Sequence, residues 1–252
     1  MVLITSAIDL EDGAFLVGGQ ALNLWAERYA TKTQELVAFA PYTSKDVDYF
    51  GYREAAEKLA AALHGTVAVP PLGDATPSTA VVTATINGRV VQIDFISSVL
   101  GVSARKLESS VAEIVVPMRS DEGEKLLSIP LMHPLHCLES RIANVLHPAT
   151  KRRDDTAMRQ LHAAPIVLRE YIEEAINDGD LREVNACFQE LFKYLRSDII
   201  GRKAHAQTPV DPLDVIRHFV SDLRFDERYR MYNLTRMIEH VEDRRRRQAG
   251  DE

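Results

Sequence analysis

Three aspartates in the N-terminal half combine residue type and spacing in a way that predicts metal chemistry. Asp46 and Asp48 form an Asp-x-Asp pair within residues 46–50, which have the pattern of a short β-strand. Alternate residues of a strand point to one face, so both carboxylates are expected on the same side of a sheet. Asp94 interrupts the apolar segment 90–96, which predicts a second strand. Side-by-side carboxylates repel each other, and a cation between them removes that cost.

A divalent cation that also contacts phosphate is the chemistry these aspartates favour. Mg²⁺ (or Mn²⁺) takes oxygen ligands and is commonly shared between carboxylates and substrate phosphates. A third carboxylate from a neighbouring strand permits a two-metal site, in which one metal activates the attacking oxygen and the other neutralises triphosphate charge. The sequence therefore predicts that Asp46, Asp48 and Asp94 bind metal together.

A Gly-Gly pair gives a second indication of phosphate binding. Gly18 and Gly19 follow the apolar residues 15–17 and open a segment with helical periodicity. Backbone amides at a helix N-terminus can approach phosphate where glycines leave room. Each signal alone has a simpler interpretation: an Asp-x-Asp pair is typical of a turn or a solvated strand, Asp94 of a strand end facing water, and Gly-Gly of a tight turn. Their combination favours a site for metal and phosphate.

Strand and helix patterns alternate through the first half of the chain. Asn87-Gly88 separates the β-branched segments 80–86 and 89–96 and is the strongest hairpin signal in the sequence. Such alternation predicts a sheet flanked by helices. Further predicted elements are a helix at 53–63 and a strand at 111–116.

Helical patterns dominate after residue 132. Apolar residues recur there at helical spacing, and Pro165 is expected in the first turn of one helix. We therefore predict an α/β (α+β) fold with two domains, a mixed-sheet domain at 1–130 and a helical domain at 131–252.

Composition excludes several classes of protein. Of the 252 residues, 46% are hydrophobic and 27% charged, which are ordinary globular values, and the net charge is -7. This balance excludes a generally basic nucleic-acid binder, although 20 of the 30 basic residues lie in 133–252 and 17 of those are Arg. No apolar run approaches the roughly 18–20 residues of a membrane span, and two cysteines are too few for a disulfide framework. We expect a cytoplasmic protein with no membrane partner.

The ordered motifs resemble the DNA polymerase β-like nucleotidyltransferase superfamily. That pattern is an apolar strand, Gly-Gly, a helix, Asp-x-Asp on a strand and a third Asp on a later strand, and it matches residues 15–25, 44–50 and 93–95. Within the superfamily the sequence is most similar to the abortive-infection AbiE-type toxins and the related MenT-type toxins. The likeness covers roughly residues 13–100, with weaker similarity to about residue 163. It implies a nucleotidyltransferase-type mixed sheet with flanking helices, followed by a helical C-terminal domain.

The resemblance also implies an enzyme and assigns roles to residues. The reaction is Mg²⁺-dependent transfer of a nucleoside monophosphate from an NTP to an acceptor, with release of pyrophosphate. The toxins place a Lys on the helix after the third Asp; residues 134–144 lack one, and Arg141 is the basic residue that could replace it. The implied catalytic and metal-binding residues are Asp46, Asp48 and Asp94, and the implied nucleotide-binding residues are Gly18, Gly19, Ser44, Lys45 and Arg141.

Two other functions remain open at this stage. The same fold could be a catalytically silent binding or regulatory protein, or it could modify a small molecule, as the aminoglycoside nucleotidyltransferases do. For the enzyme of toxin or phage-defence type, the expected partners are an NTP, an acceptor such as tRNA or another RNA, and a cognate antitoxin or regulatory protein.

Other residue clusters have structural interpretations that we weigh against functional ones. His133, His136, Cys137 and His147 suggest zinc, but no fourth ligand stands at structural-site spacing, so incidental histidines at a helix start are favoured. Asp154-Asp155 either caps the next helix or orients a basic phosphate contact. Trp25 is expected in the core, and the terminal run Arg244–Arg247 is expected to be a solvated tail rather than an RNA contact.

Overall fold

A computed structural model defines the fold. Three predicted site residues, Ser44, Lys45 and Asp46, lie outside the residues that the structure describes. The described residues are 2–8, 10–41, 47–71, 73–74, 76–120, 123–148 and 150–250.

The chain divides into two compact units. The first comprises Met1–Glu27 and Pro41–Ser140, and the second comprises Arg28–Ala40 and Arg141–Glu252. Each unit has its own buried apolar core.

A mixed seven-stranded sheet forms the first unit. The strand order is β3-β4-β5-β2-β1-β7-β6; the pairs β2/β5 and β1/β7 are parallel, and all other pairs are antiparallel. The strands are β1 Phe15–Leu16, β2 Val47–Phe50, β3 Thr66–Ala68, β4 Ser78–Ile86, β5 Arg89–Ile96, β6 Val111–Ser120 and β7 Gly123–Met132.

Helices make up most of the remaining structure, and no strand follows Met132 in 133–148 or 150–250. The chain is thus mixed α/β, which confirms the predicted class at this level. The helices are α1 Val2–Thr5, α2 Gly18–Ala30, α3 Gln34–Val37, α4 Arg53–Ala62, α5 Ala104–Ser109, α6 Pro134–Leu146, α7 Asp155–Asn177, α8 Leu181–Ser197, α9 Ile199–Gln207, α10 Leu213–Phe219, α11 Glu227–Tyr229 and α12 Thr235–Gly250, with a 3₁₀ turn at Leu10–Asp12 and a π segment at Arg230–Leu234.

The predicted β4–β5 hairpin is confirmed. Asn87 and Gly88 have φ of 51° and 75°, so both central turn residues are left-handed. Two left-handed residues form the turn whose twist matches that of the flanking strands, and Asn-Gly is the favoured pair for it. The turn thereby sets the register of β5 and places Asp94 opposite Val81 of β4.

The edge hairpin of β6 and β7 is longer than the sequence predicts. The strand predicted at 111–116 continues to Ser120 and pairs along its whole length with β7, which was not predicted. Residues of β7 before Ile129 are largely exposed and show no alternation of buried and exposed positions. Pairing with β6 therefore forms this strand, because its own pattern carries no strand signal.

The helix around Pro165 begins ten residues earlier than predicted. α7 starts at Asp155, and the Asp154 carboxylate accepts a hydrogen bond from the Ala157 N–H at 3.0 Å. Asp154 therefore caps a helix, and Pro165 lies in its interior rather than its first turn. Buried residues on both sides of the proline, including Leu161 and Leu168, keep the helix continuous despite the missing N–H.

Buried aromatic side chains connect β1 and α2 to the neighbouring strands in the first unit. Trp25 is buried, as predicted, and its Nε1–H donates to the Met132 carbonyl oxygen at 3.0 Å. The rings of Phe15 and Phe50 stack with centroids 5.0 Å apart, which joins β1 to β2. These contacts hold the end of β1, where the Gly-Gly pair begins, against the strands on both sides.

A half-buried carboxylate organises ion pairs in the second unit. Asp211 accepts a bidentate pair of hydrogen bonds from Arg245, both at 2.7 Å, and another from Arg217 at 3.0 Å. Burial opposes ionisation of Asp211, but the hydrogen bonds from Arg245 and the Leu213 N–H and the charge of Arg217 outweigh it. They hold the pKa of this carboxyl below its usual value.

This lowered pKa makes a predictable contribution to acid stability. A carboxyl with a depressed folded-state pKa stabilises the protein above its unfolded pKa, near 4, and that contribution is lost as the pH falls through the folded pKa. We expect Asp211→Asn to lower the free energy of unfolding by about 1–3 kcal/mol at pH 7, with a difference that shrinks below about pH 4. Denaturant unfolding at several pH values measures it, and a difference independent of pH would contradict the assignment.

No helix in the described part of the chain has both the length and the apolar character needed to cross a membrane.

Candidate functional site

Two of the predicted metal-binding residues lie side by side on neighbouring strands. In the parallel pair β2/β5, Asp48 is directly opposite Asp94. Parallel partners in register project their side chains to the same face, and neighbouring strands are about 4.8 Å apart. Both aspartates are half-buried. The sheet therefore brings these two carboxylates together on one partly exposed surface.

Large apolar side chains on the opposite face maintain this register. Tyr49 and Phe95, which are the next residues along β2 and β5, are buried and stack with ring centroids 5.5 Å apart. Ile93, on the other side of Asp94, is also buried. A slip of one residue would expose these rings and bury a carboxylate, so core packing fixes the alignment of Asp48 with Asp94.

Gly18 lies against the carboxylate of Asp48. The Val17 N–H donates to the Asp48 carbonyl oxygen at 2.9 Å, which extends the β1/β2 pairing to the point where α2 begins. Gly18 has φ of +69°, and a Cβ on it would lie 2.9 Å from Asp48 Oδ2. Both the left-handed backbone and the close approach therefore require glycine here.

The N-terminus of α2 consequently adjoins the carboxylate pair. α2 begins at Gly18 and Gly19, so their amides lie in the first turn of the helix, where N–H groups point out of the helix end. The positive end of the helix dipole favours an anion at this position, either the Asp48 carboxylate itself or a phosphate group beside it. The site thus combines oxygen ligands for a cation with amide donors for an anion.

Arg141, the predicted phosphate contact, belongs to the second compact unit. It is only 8% exposed, and its Nη1–H donates to Oε1 of Gln160 at 2.7 Å. This hydrogen bond gives Arg141 a packing role, and its predicted contact with nucleotide stays a prediction. Asp46, Ser44 and Lys45 lie outside the described residues, so their predicted roles also stay predictions.

The histidines at the start of α6 have protein partners. Nδ1 of His133 accepts from the Leu135 N–H at 3.1 Å and so caps the helix. His136 is hydrogen-bonded through both ring nitrogens, to Glu139 and to Ser110. Sequence reasoning did not single out Glu139 or Ser110; the available signal was a carboxylate within the apolar stripe of α6.

Three comparisons with known proteins found no match. No protein-family model matches it, no curated protein matches it, and no solved structure matches it.

Proposed function

We propose that this protein is a divalent-metal-dependent nucleotidyltransferase, which moves a nucleoside monophosphate from an NTP to an acceptor and releases pyrophosphate. One observation carries the proposal: Asp48 and Asp94 are in register on adjacent parallel strands, with Gly18 and the start of α2 packed against Asp48. Carboxylates and the amides of a helix N-terminus in one place suit a metal-bound polyphosphate.

The donor set fits Mg²⁺ or Mn²⁺. Both described ligands are carboxylates, which hard divalent cations prefer, and both are half-buried, so water and substrate oxygens can complete the coordination. When bound, the metal supplies charge neutralisation for the triphosphate and activation of the attacking oxygen. Asp46 is the proposed third ligand, two residues before Asp48 on the same strand pattern.

The protein groups position the substrates. Asp48 and Asp94 fix the metal-binding face, and Asp94 is proposed to receive the proton of the acceptor hydroxyl. The amides of Gly18 and Gly19 are proposed to bind phosphate oxygens. Catalysis by such a site consists mainly of orientation and electrostatic stabilisation, which requires little movement of the sheet.

The acceptor and the biological setting are further parts of the proposal. The Arg-rich composition of 133–252 favours a polyanionic acceptor such as tRNA or another RNA. We propose a toxin or phage-defence role with a cognate antitoxin or regulatory partner on the family resemblance alone, and a cytoplasmic location on the composition and the two cysteines.

Binding and label transfer test the proposal separately. We expect Mg²⁺ or Mn²⁺ with one of the four NTPs to raise the melting temperature, because a ligand at 100 times its Kd stabilises the native state by about 2.7 kcal/mol. With total RNA present, label from the α-phosphate should reach the acceptor and label from the γ-phosphate should not. Transfer of γ-label, or no thermal shift with any NTP, would contradict nucleotidyl transfer.

A further inference from the structure

A continuous hydrogen-bonded series of side chains links α5 to α6 within the first unit. The Ser110 Oγ and His136 Nε2 atoms are 2.7 Å apart, and His136 Nδ1 is 2.8 Å from Glu139 Oε2. The Lys106 ammonium donates to the other carboxylate oxygen, Glu139 Oε1, at 2.8 Å. A hydroxyl, an imidazole and a carboxylate in this order form the arrangement by which a serine is activated as a nucleophile.

The edge hairpin explains why these residues meet. Val111, the first residue of β6, pairs with Met132, the last residue of β7. Ser110 immediately precedes β6, and α6 follows β7 after one residue. Ser110 and the start of α6 therefore lie at the same end of the hairpin. His136 lies in the first turn of α6, and Glu139 follows three residues later on the same helical face.

Burial and charge determine the tautomer of His136. Glu139 is 0% exposed and accepts from the Lys106 ammonium, so it is an ionised acceptor. Its second oxygen must then receive a proton from His136, which places that proton on Nδ1. In the neutral tautomer with its proton on Nδ1, Nε2 carries a lone pair, and it lies 2.7 Å from the hydroxyl oxygen of Ser110.

The hydroxyl of Ser110 can donate in two directions. Its oxygen lies 2.6 Å from the Lys106 carbonyl oxygen and 2.7 Å from His136 Nε2, and it has one proton to give. Ser110 is part-buried, whereas His136 and Glu139 are buried, so of these three residues Ser110 is the most exposed to solvent. Rotation of the Ser110 hydroxyl hydrogen replaces its hydrogen bond to the Lys106 carbonyl, at the end of α5, with a hydrogen bond to His136 Nε2.

We propose that Ser110 is a nucleophile that accepts acyl groups from carboxylic esters, with His136 as its general base and Glu139 as a positioning residue. The Ser110 O–H bond breaks as its proton passes to His136 Nε2, and a bond forms from Oγ to the ester carbonyl carbon. The bond from that carbon to the leaving oxygen then breaks, and the leaving oxygen takes the proton from Nε2. Water repeats the sequence and releases the carboxylic acid.

Covalent labelling of the full chain tests this directly. We expect p-nitrophenyl acetate to transfer one acetyl group, and a fluorophosphonate ester to add one phosphonyl group, both mapped to Ser110 by peptide mass spectrometry. Labelling should proceed with a metal chelator present, which separates this site from the proposed metal-dependent reaction. Ser110→Ala should abolish the adduct. Ser109→Ala is the matched control, because the Ser109 hydroxyl also donates to the Lys106 carbonyl, at 3.2 Å, whereas the imidazole Nε2 is paired with Ser110. This variant should be labelled at the wild-type rate.

The roles of the other two residues have separate readouts. We expect His136→Gln to slow adduct formation about 100-fold or more, since general-base catalysis contributes that much. Glu139→Asp should retain more of the rate than Glu139→Gln, because only a carboxylate stabilises the charged imidazole. Rates are compared for variants whose far-UV circular dichroism matches the wild type. An unlabelled Ser110 in folded wild-type protein, or equal labelling of wild type and His136→Gln, would overturn the proposal.

Discussion

We expect Asp48→Asn to abolish metal-dependent nucleotide binding and to lower nucleotidyl transfer by roughly 1,000-fold or more, since metal ligation supplies several kcal/mol of transition-state stabilisation. The fold should survive, because Asn has the same shape and Asp48 is half-buried at a strand position set by its neighbours. Without metal, the variant should melt at the wild-type temperature or slightly above it. The reason is that two like charges directly opposite each other in a sheet destabilise it by about 0.2–1 kcal/mol.

The matched control for this change is Asp74→Asn. Asp74 is an exposed aspartate of the same compact unit, outside the strands, and the identical substitution there should leave both nucleotide binding and melting temperature unchanged. Thermal shift with Mg²⁺ or Mn²⁺ and NTP measures binding, and label transfer measures activity. If Asp48→Asn binds metal and NTP as the wild type does, the carboxylate pair is not the metal site.

A methyl group at Gly18 should also lower activity, although by less than the loss of the Asp48 carboxylate. The Ala side chain would need a left-handed backbone, which costs about 1–2 kcal/mol, and its Cβ would meet Asp48 Oδ2 at 2.9 Å. Relief of that contact displaces the carboxylate from its position opposite Asp94. Because misplacement of a reacting group by about 1 Å can cost roughly 100-fold in rate, we expect a loss of that order for Gly18→Ala.

Gly13→Ala separates the cost of the left-handed backbone from the effect of the contact with Asp48. Gly13 has φ of +66°, almost the same as Gly18, but a Cβ there would have no atom within 4 Å. The control therefore carries the backbone cost alone and should keep full activity at a modestly lower melting temperature. Equal losses of stability and activity in Gly13→Ala and Gly18→Ala would show that the Asp48 contact has no consequence. Chemical denaturation and label transfer on both variants give the comparison.

Local patterns were sufficient to predict the elements that carry the carboxylates. The Asn87-Gly88 turn and the alternation around Asp94 predict β4 and β5 because both signals act over a few residues. The pairing of β2 with β5 joins two segments that are far apart in the sequence, so signals that act over a few residues do not specify it. The sequence could therefore predict that Asp48 and Asp94 share a site, but it could not supply the residue-to-residue alignment.

Tertiary context accounts for what sequence reasoning missed. Pro165 lies inside α7 because buried residues before and after it stabilise one continuous helix. The helix propensity of a single residue does not include this packing. The buried carboxylate of Glu139 is paired by Lys106 from α5 and by His136 from the start of α6. The contact with His136 follows the helical spacing of α6, but the contact with Lys106 cannot be inferred from it.

The parallel strand pairs also constrain the order in which the first unit can fold. β4 and β5 are joined by a two-residue turn and can pair early, whereas Leu16 of β1 pairs with Leu131 of β7, more than a hundred residues later. Closing so long a loop is entropically slow, and such long-range pairings limit folding rates. During synthesis β1 cannot acquire its second neighbour until β7 has left the ribosome. Gly18, which lies against Asp48, therefore reaches its final environment only after most of the first unit has been synthesised.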